Sequence, residues 1–156
     1  MKISLFSQSL FALPLQEAIE TTAKLGFPAI ELACIKPHFD IELAINDPIK
    51  VADLIKQNEL TVSALSLFNE FTDPSKLDDQ IDKAELFIRL APLFDTKIIK
   101  MTPGPPSSIN AKDEHWDCLS LAISHLIPIA NEFDVKLAFE THMRQLTDTL
   151  SGSKHL

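Results

Sequence analysis

Residues 135–146 read VKLAFETHMRQL. A strand-like run, 135–139, ends abruptly in the carboxylate of Glu140, and the imidazole of His142 follows two residues later. A carboxylate at the end of a buried strand loses hydration unless something replaces it, and a divalent cation is one such replacement. Side chains alternate along extended chain, so His142 falls on the same side as Glu140 where that conformation continues. His142 then ligates, orients a substrate or supports the site from behind. The bland alternative is a solvated acid and a solvated histidine at the start of a loop.

Working outward, the chain alternates short apolar runs with helical patterns. Residues 2–6 read as a strand. Residues 15–25 read as a helix opened by Pro14, with Leu15, Ala18, Ile19, Thr22 and Ala23 on one face and Gly26 as its stop. A second strand is expected over 29–34, a helix from Asp47-Pro48 to Gln57, and a third strand over 60–67. Asp73-Pro74-Ser75 announces a helix over 76–93, whose acids Asp78, Asp79 and Asp82 sit where the helix dipole favours them. A fourth strand spans 97–101. A long helical segment spans 112–132, broken or bent near Pro128, and the fifth strand is 135–139.

Strands of about five residues alternating with helices of about 11–20 mean βαβ units and a parallel sheet. Such strands are buried on both faces, which accounts for their continuous apolar runs. Two architectures compete. An open doubly wound sheet needs only five strands, whereas a (β/α)8 barrel needs about 250 residues. Length prefers the open sheet, and the chemistry of the strand ends argues for the barrel.

In both architectures ligands bind beyond the carboxyl ends of the strands. Those ends carry Ser7, Gln8, Glu31, Asn69, Glu70, Thr102, Glu140 and His142. The only glycines are Gly26, Gly104 and Gly152, so no GxGxxG or phosphate loop can be written. There is no GxSxG either, which disfavours a serine nucleophile and leaves acid–base or metal chemistry. Glu31 and Thr102 are candidates to contact a substrate, although Glu31 would equally serve as the partner of a neighbouring lysine. His38 joins them from the loop after the second strand. His115, His125 and His155 fall on the outer layer or in the tail.

Hydrophobic residues at 46% and charged residues at 23% are near globular averages, which excludes a disordered chain or a membrane protein. No apolar run approaches the roughly 20 residues of a membrane helix. The faintly signal-like start, MKISLFSQSLFALPL, is interrupted by Ser7, Gln8 and Ser9 and reads as a strand and its loop. Fourteen Lys+Arg against 22 Asp+Glu leave a net charge of −8, unsuited to nucleic acid or an anionic membrane. Cys34 and Cys118 fit no metal spacing and are expected as reduced thiols in a cytoplasmic protein.

Three segments, KISLFSQSL (2–10), LGFPAIEL (25–32) and FETHMRQLTDT (139–149), together resemble the xylose isomerase-like TIM barrels, the sugar phosphate isomerase/epimerase group. The resemblance implies an α/β chain, a (β/α)8 barrel truncated to about its first five βα units. It forms one domain over 1–156 with a poorly structured tail at 143–156. It implies Glu140 as a metal-binding and catalytic glutamate and His142 as its catalytic neighbour. The divalent metal would be Mn2+, Mg2+, Co2+ or Zn2+, and the substrate a small sugar, polyol or hydroxy-ketone that is isomerised, epimerised or dehydrated. The DNA-repair branch of the family, the AP endonucleases, is less similar, because it places histidines where this chain has LSLFNEF and MTPG. The family's remaining ligands come from strands six to eight, which have no counterpart here. The expectation is therefore an incomplete metal site, negligible activity of this chain alone, and pairing into a homodimer or with a partner that supplies the missing half. The alternative is a degenerate half barrel that binds or assembles without catalysis.

Overall fold

The computed structural model describes residues 3–156. The residue at which the first strand was expected to begin, Lys2, lies outside them. Five strands, β1 (Ser4–Phe6), β2 (Ala29–Ala33), β3 (Thr61–Ser66), β4 (Ile98–Met101) and β5 (Lys136–Phe139), form one sheet in the order β1-β2-β3-β4-β5. Every neighbouring pair is parallel. An open doubly wound sheet reverses its strand order at a switch point, whereas a barrel adds each strand beside the last. The unbroken order decides for the barrel-type arc.

The connecting helices are α1 (Leu15–Lys24), α2 (Ile41–Asn46), α3 (Pro48–Gln57), α4 (Leu77–Leu90) and α5 (Asp113–Glu132), with α6 (Leu150–His155) after the last strand. The short α2 was not expected. Asp40 caps it by accepting a hydrogen bond from the Leu43 amide at 3.1 Å, and Pro48 opens α3 directly behind it. Of the break or bend expected near Pro128, a break is absent, since α5 runs through it. The 76–93 helix is shorter than its pattern, because Pro92 closes it into a 3-10 turn over Ala91–Phe94.

One face of the sheet meets the helices. Ile30, Leu32, Leu65, Ile99 and Met101 are fully buried there, in one cluster with Ile19, Ile55, Ile88, Leu119 and Leu126. The other face is mixed, carrying buried Ala33 and Ala64 beside polar residues. By alternation the opposite face carries Phe6, Glu31, Ser66 and Lys100. A register shift between Ile30 and Glu31 pairs Glu31 with Ala64 instead of Ser63, and so turns the acid toward Ser66.

Residues 143–156, expected as a poorly structured tail, fold back onto the strand ends. The Leu146 amide donates to the Gly104 carbonyl at 3.2 Å, and the Gly104 amide donates to Gln145 Oε1 at 3.1 Å. Ser108 bonds Asp148 and Thr149 at 2.7 Å, while Thr149 caps α6 through the Gly152 amide at 3.0 Å. Leu146 is buried in the main core. A single apolar anchor among polar contacts leaves no periodicity for a sequence reading to find.

Candidate functional site

The rim at the carboxyl ends of the strands is built around Lys100. Its Nζ lies 2.6 Å from Glu31 Oε1 on β2 and 3.0 Å from Glu140 Oε2, one residue past β5. Ser66 on β3 donates to the same Glu31 oxygen at 2.7 Å. The ammonium also sits 4.2 Å from the centre of the Phe6 ring, which is itself stacked with Phe68. Thus five strands deliver one aromatic floor, one hydroxyl, two carboxylates and one cation to a single place. Glu31 and Lys100 are about four-fifths buried, whereas the Glu140 side chain is 36% exposed.

Burial opposes the Lys100 ammonium, but hydrogen bonds to Glu31 and Glu140 outweigh it and hold the pKa above the ordinary lysine value. Lys100 is therefore held as a cation between the two carboxylates.

The expected site residues separate into two groups. Glu31 and Glu140 are brought together on Lys100, and of the two readings of Glu31 the pairing with a neighbouring lysine is the one seen. Thr102 is 4% exposed and spends its hydroxyl on Asn69, accepting from the amide and donating to the carbonyl, each at 2.9 Å. It shapes the loop after β3. His142 is exposed, with Nδ1 2.9 Å from the Met143 carbonyl.

His38, 1% exposed, is buried against Ser7 and Leu13. Its Nε2 lies 3.2 Å from the Leu13 carbonyl, which can only accept, so Nε2 carries the proton. Nδ1 then accepts from the Ser7 hydroxyl at 3.1 Å, and Ser7 Oγ accepts from the Ala33 amide at 2.9 Å. Burial holds the His38 pKa below the usual histidine value, in keeping with this neutral tautomer.

A second ion pair flanks the rim. Lys76 Nζ lies 2.7 Å from Glu70 Oε2, and that hydrogen bond raises the lysine's pKa. Cys34 and Cys118 are free, and burial pushes the Cys34 thiol well up, so it is inert.

A divalent metal needs several oxygen or nitrogen donors converging on one point. No group of three or more His, Cys, Asp and Glu side chains converges among the described residues. Glu140, the more exposed of the two carboxylates on Lys100, already holds an ammonium. As arranged, these residues offer fewer donors than a bound divalent metal takes. No helix among them is long and apolar enough to cross a membrane.

Residues 19–155 match the family described as xylose isomerase-like TIM barrel. No curated protein matches the chain. Among solved structures, the probable 3-DHS dehydratase AsbF from Bacillus anthracis superposes with a TM-score of 0.79 at 21% identity, over 99% of this chain and 57% of that one. The IOLI protein, solved with a zinc atom, gives 0.77 at 18% identity over 98% and 56%. D-allulose 3-epimerase from Methylomonas, solved in complex with D-allulose, gives 0.71 at 17% identity over 100% and 58%. At these identities the likeness is one of fold, and the chain spans less than two thirds of each neighbour's length. A family match over most of the chain and an in-order parallel arc agree: the chain belongs to the xylose isomerase-like TIM barrel family.

Proposed function

We propose that this chain is the β1–β5 part of an isomerase or epimerase of a small sugar, polyol or hydroxy-ketone, cytoplasmic, and inactive as an isolated half barrel. One observation carries the reading: Glu140 reaches the strand-end rim with a free flank, beside a fixed cation and an acid from β2. A carboxylate so placed takes the proton from a C–H next to a carbonyl and gives it back to the same or the adjacent carbon. The negative charge that develops on oxygen is stabilised by a cation at hydrogen-bond distance, and here that cation is Lys100. Glu31 is positioned to accept a substrate hydroxyl, and His142 to close on one from the solvent side. Metal dependence of the assembled barrel would require ligands beyond those of this chain.

The open edges of β1 and β5 offer unpaired backbone groups, which favours docking of a second half or a second copy. Leu137 and Phe139 border an apolar cleft with Ile123, Ile127 and Val135 on that side.

The test is deuterium uptake from heavy water into neutral ketoses, followed by proton NMR. The native cellular protein should exchange the proton beside the carbonyl and lose that ability in Glu140→Gln. The 156-residue chain alone should exchange none. Absence of exchange from a folded native protein with every ketose tried would reject the reading.

A second reading, a half barrel that binds or assembles without catalysis, draws on the same ammonium. Lys100 leaves Glu140 already neutralised, as in a site retained for structure.

A further inference from the structure

We propose that Lys100 is the resident cation of this rim: its ammonium fills the place between Glu31 and Glu140 that a divalent metal would have to take, and Glu140 stays closed to metal until that ammonium leaves. The inference uses Glu140 as a rim carboxylate but not the reaction proposed for it.

The ammonium has three partners for its three N–H groups, namely Glu31 Oε1 at 2.6 Å, Glu140 Oε2 at 3.0 Å and the face of Phe6 at 4.2 Å. It is therefore held from three sides and not merely nearby. Glu31 is fixed independently by the Ser66 hydroxyl, and the Phe6 ring is backed by Phe68. Two carboxylates and one ammonium leave a net charge of −1, whereas the same carboxylates without it carry −2. A dication approaching Glu140 in the wild-type chain meets a positive charge 3.0 Å from Glu140 Oε2, and like charges that close, partly shielded from water, repel strongly. Removing the ammonium while keeping the stem reverses both effects: repulsion disappears and two acids lose their counter-ion together.

The probe is Mn2+ alone, followed by loss of the free-ion EPR signal, with the full chain and no substrate. Wild type should bind weakly. Lys100→Met should bind at least about tenfold more tightly, given the size of the repulsion removed. Lys100→Met combined with Glu140→Gln should return to the wild-type level. Lys100→Gln serves the same purpose with donor groups retained for both acids, and circular dichroism reports whether each variant is folded. Lys100→Arg, which keeps the charge, should gain nothing. Equal binding by wild type and both neutral variants would overturn the proposal, as would a gain that survives Glu140→Gln. Because no turnover is measured, a native protein that fails to exchange deuterium leaves this result untouched. Conversely, unchanged Mn2+ binding in the variants leaves the exchange test standing.

Discussion

Replacing Ser7 by alanine removes one oxygen atom and disconnects three elements. The hydroxyl is fully buried, accepts from the Ala33 amide at 2.9 Å and donates to His38 Nδ1 at 3.1 Å. Alanine leaves both partners buried without a substitute, since Ala33 and His38 are 0% and 1% exposed. A buried group stripped of its hydrogen bond costs about 1–3 kcal/mol. The volume lost is too small to admit a water that would repair both. The expected destabilisation is therefore about 2–4 kcal/mol, and at roughly 2–4 °C per kcal/mol for a chain of this size the Tm should fall by about 5–15 °C. Calorimetry or urea denaturation near neutral pH measures it, with the exposed Ser9→Ala as control, expected within about 0.5 kcal/mol of wild type. A Ser7→Ala chain as stable as the control would mean that the β1 and β2 loops are not joined through this hydroxyl. The account of His38 as a locked, neutral histidine would then fall as well.

The same relay predicts a pH dependence. Because burial lowers the His38 pKa, the unfolded chain takes up the proton first; stability is full above the unfolded value of about 6.5 and declines as pH drops below it. Urea midpoints should fall between about pH 7 and pH 5.5 in wild type, and fall less in His38→Gln. Gly104→Ala should destabilise by about 1–3 kcal/mol, because φ is +108° and a Cβ would lie 2.8 Å from Thr72 Oγ1 and 2.9 Å from Glu70 Cα. Leu146→Ala should cost about 2–4 kcal/mol and raise hydrogen exchange across α6, since this side chain alone anchors residues 143–149 in the core. Gly152→Ala should free the same helix, as a Cβ there collides with the Leu146 carbonyl and Ser108, and limited proteolysis after α5 would report it.

Much of the architecture was legible because its signals are local. Gly26, Asp47-Pro48 and Asp73-Pro74 mark helix ends within a few residues of where they fall, and β-prone runs mark the strands between them. The misses at α2 and α6 have one cause. Each has six residues, too few for an apolar period, and each owes its start to a side-chain cap, Asp40 or Thr149. Choosing between open sheet and barrel required strand order, which is a property of pairing and not of any segment. Glu140 stood out because an acid ending an apolar run contradicts its surroundings, whereas Glu31 lies inside such a run.

Lys100 and His38 show why the rest was hidden. In the sequence IIKM, Lys100 is a lone charge in a short strand, indistinguishable from one facing solvent. Its role appears only when register sets it opposite Ser66 and beside acids 69 residues before and 40 after it. His38 was read as rim-facing because its loop follows a strand end. The hydroxyl that captures it lies 31 residues away in sequence. In both cases the decisive partner is brought in by the fold, and the side chain's chemistry follows from that partner. A histidine held by Ser7 is a clasp, and a lysine held by two glutamates is a counter-ion at the strand-end rim. Had His38 been the rim residue and Lys100 the surface one, the concave face would carry two acids with no cation, a constellation that demands a metal. On the proposal above, Lys100 meets that demand from within the chain, and the Mn2+ response of Lys100→Met tests it more directly than any survey of substrates.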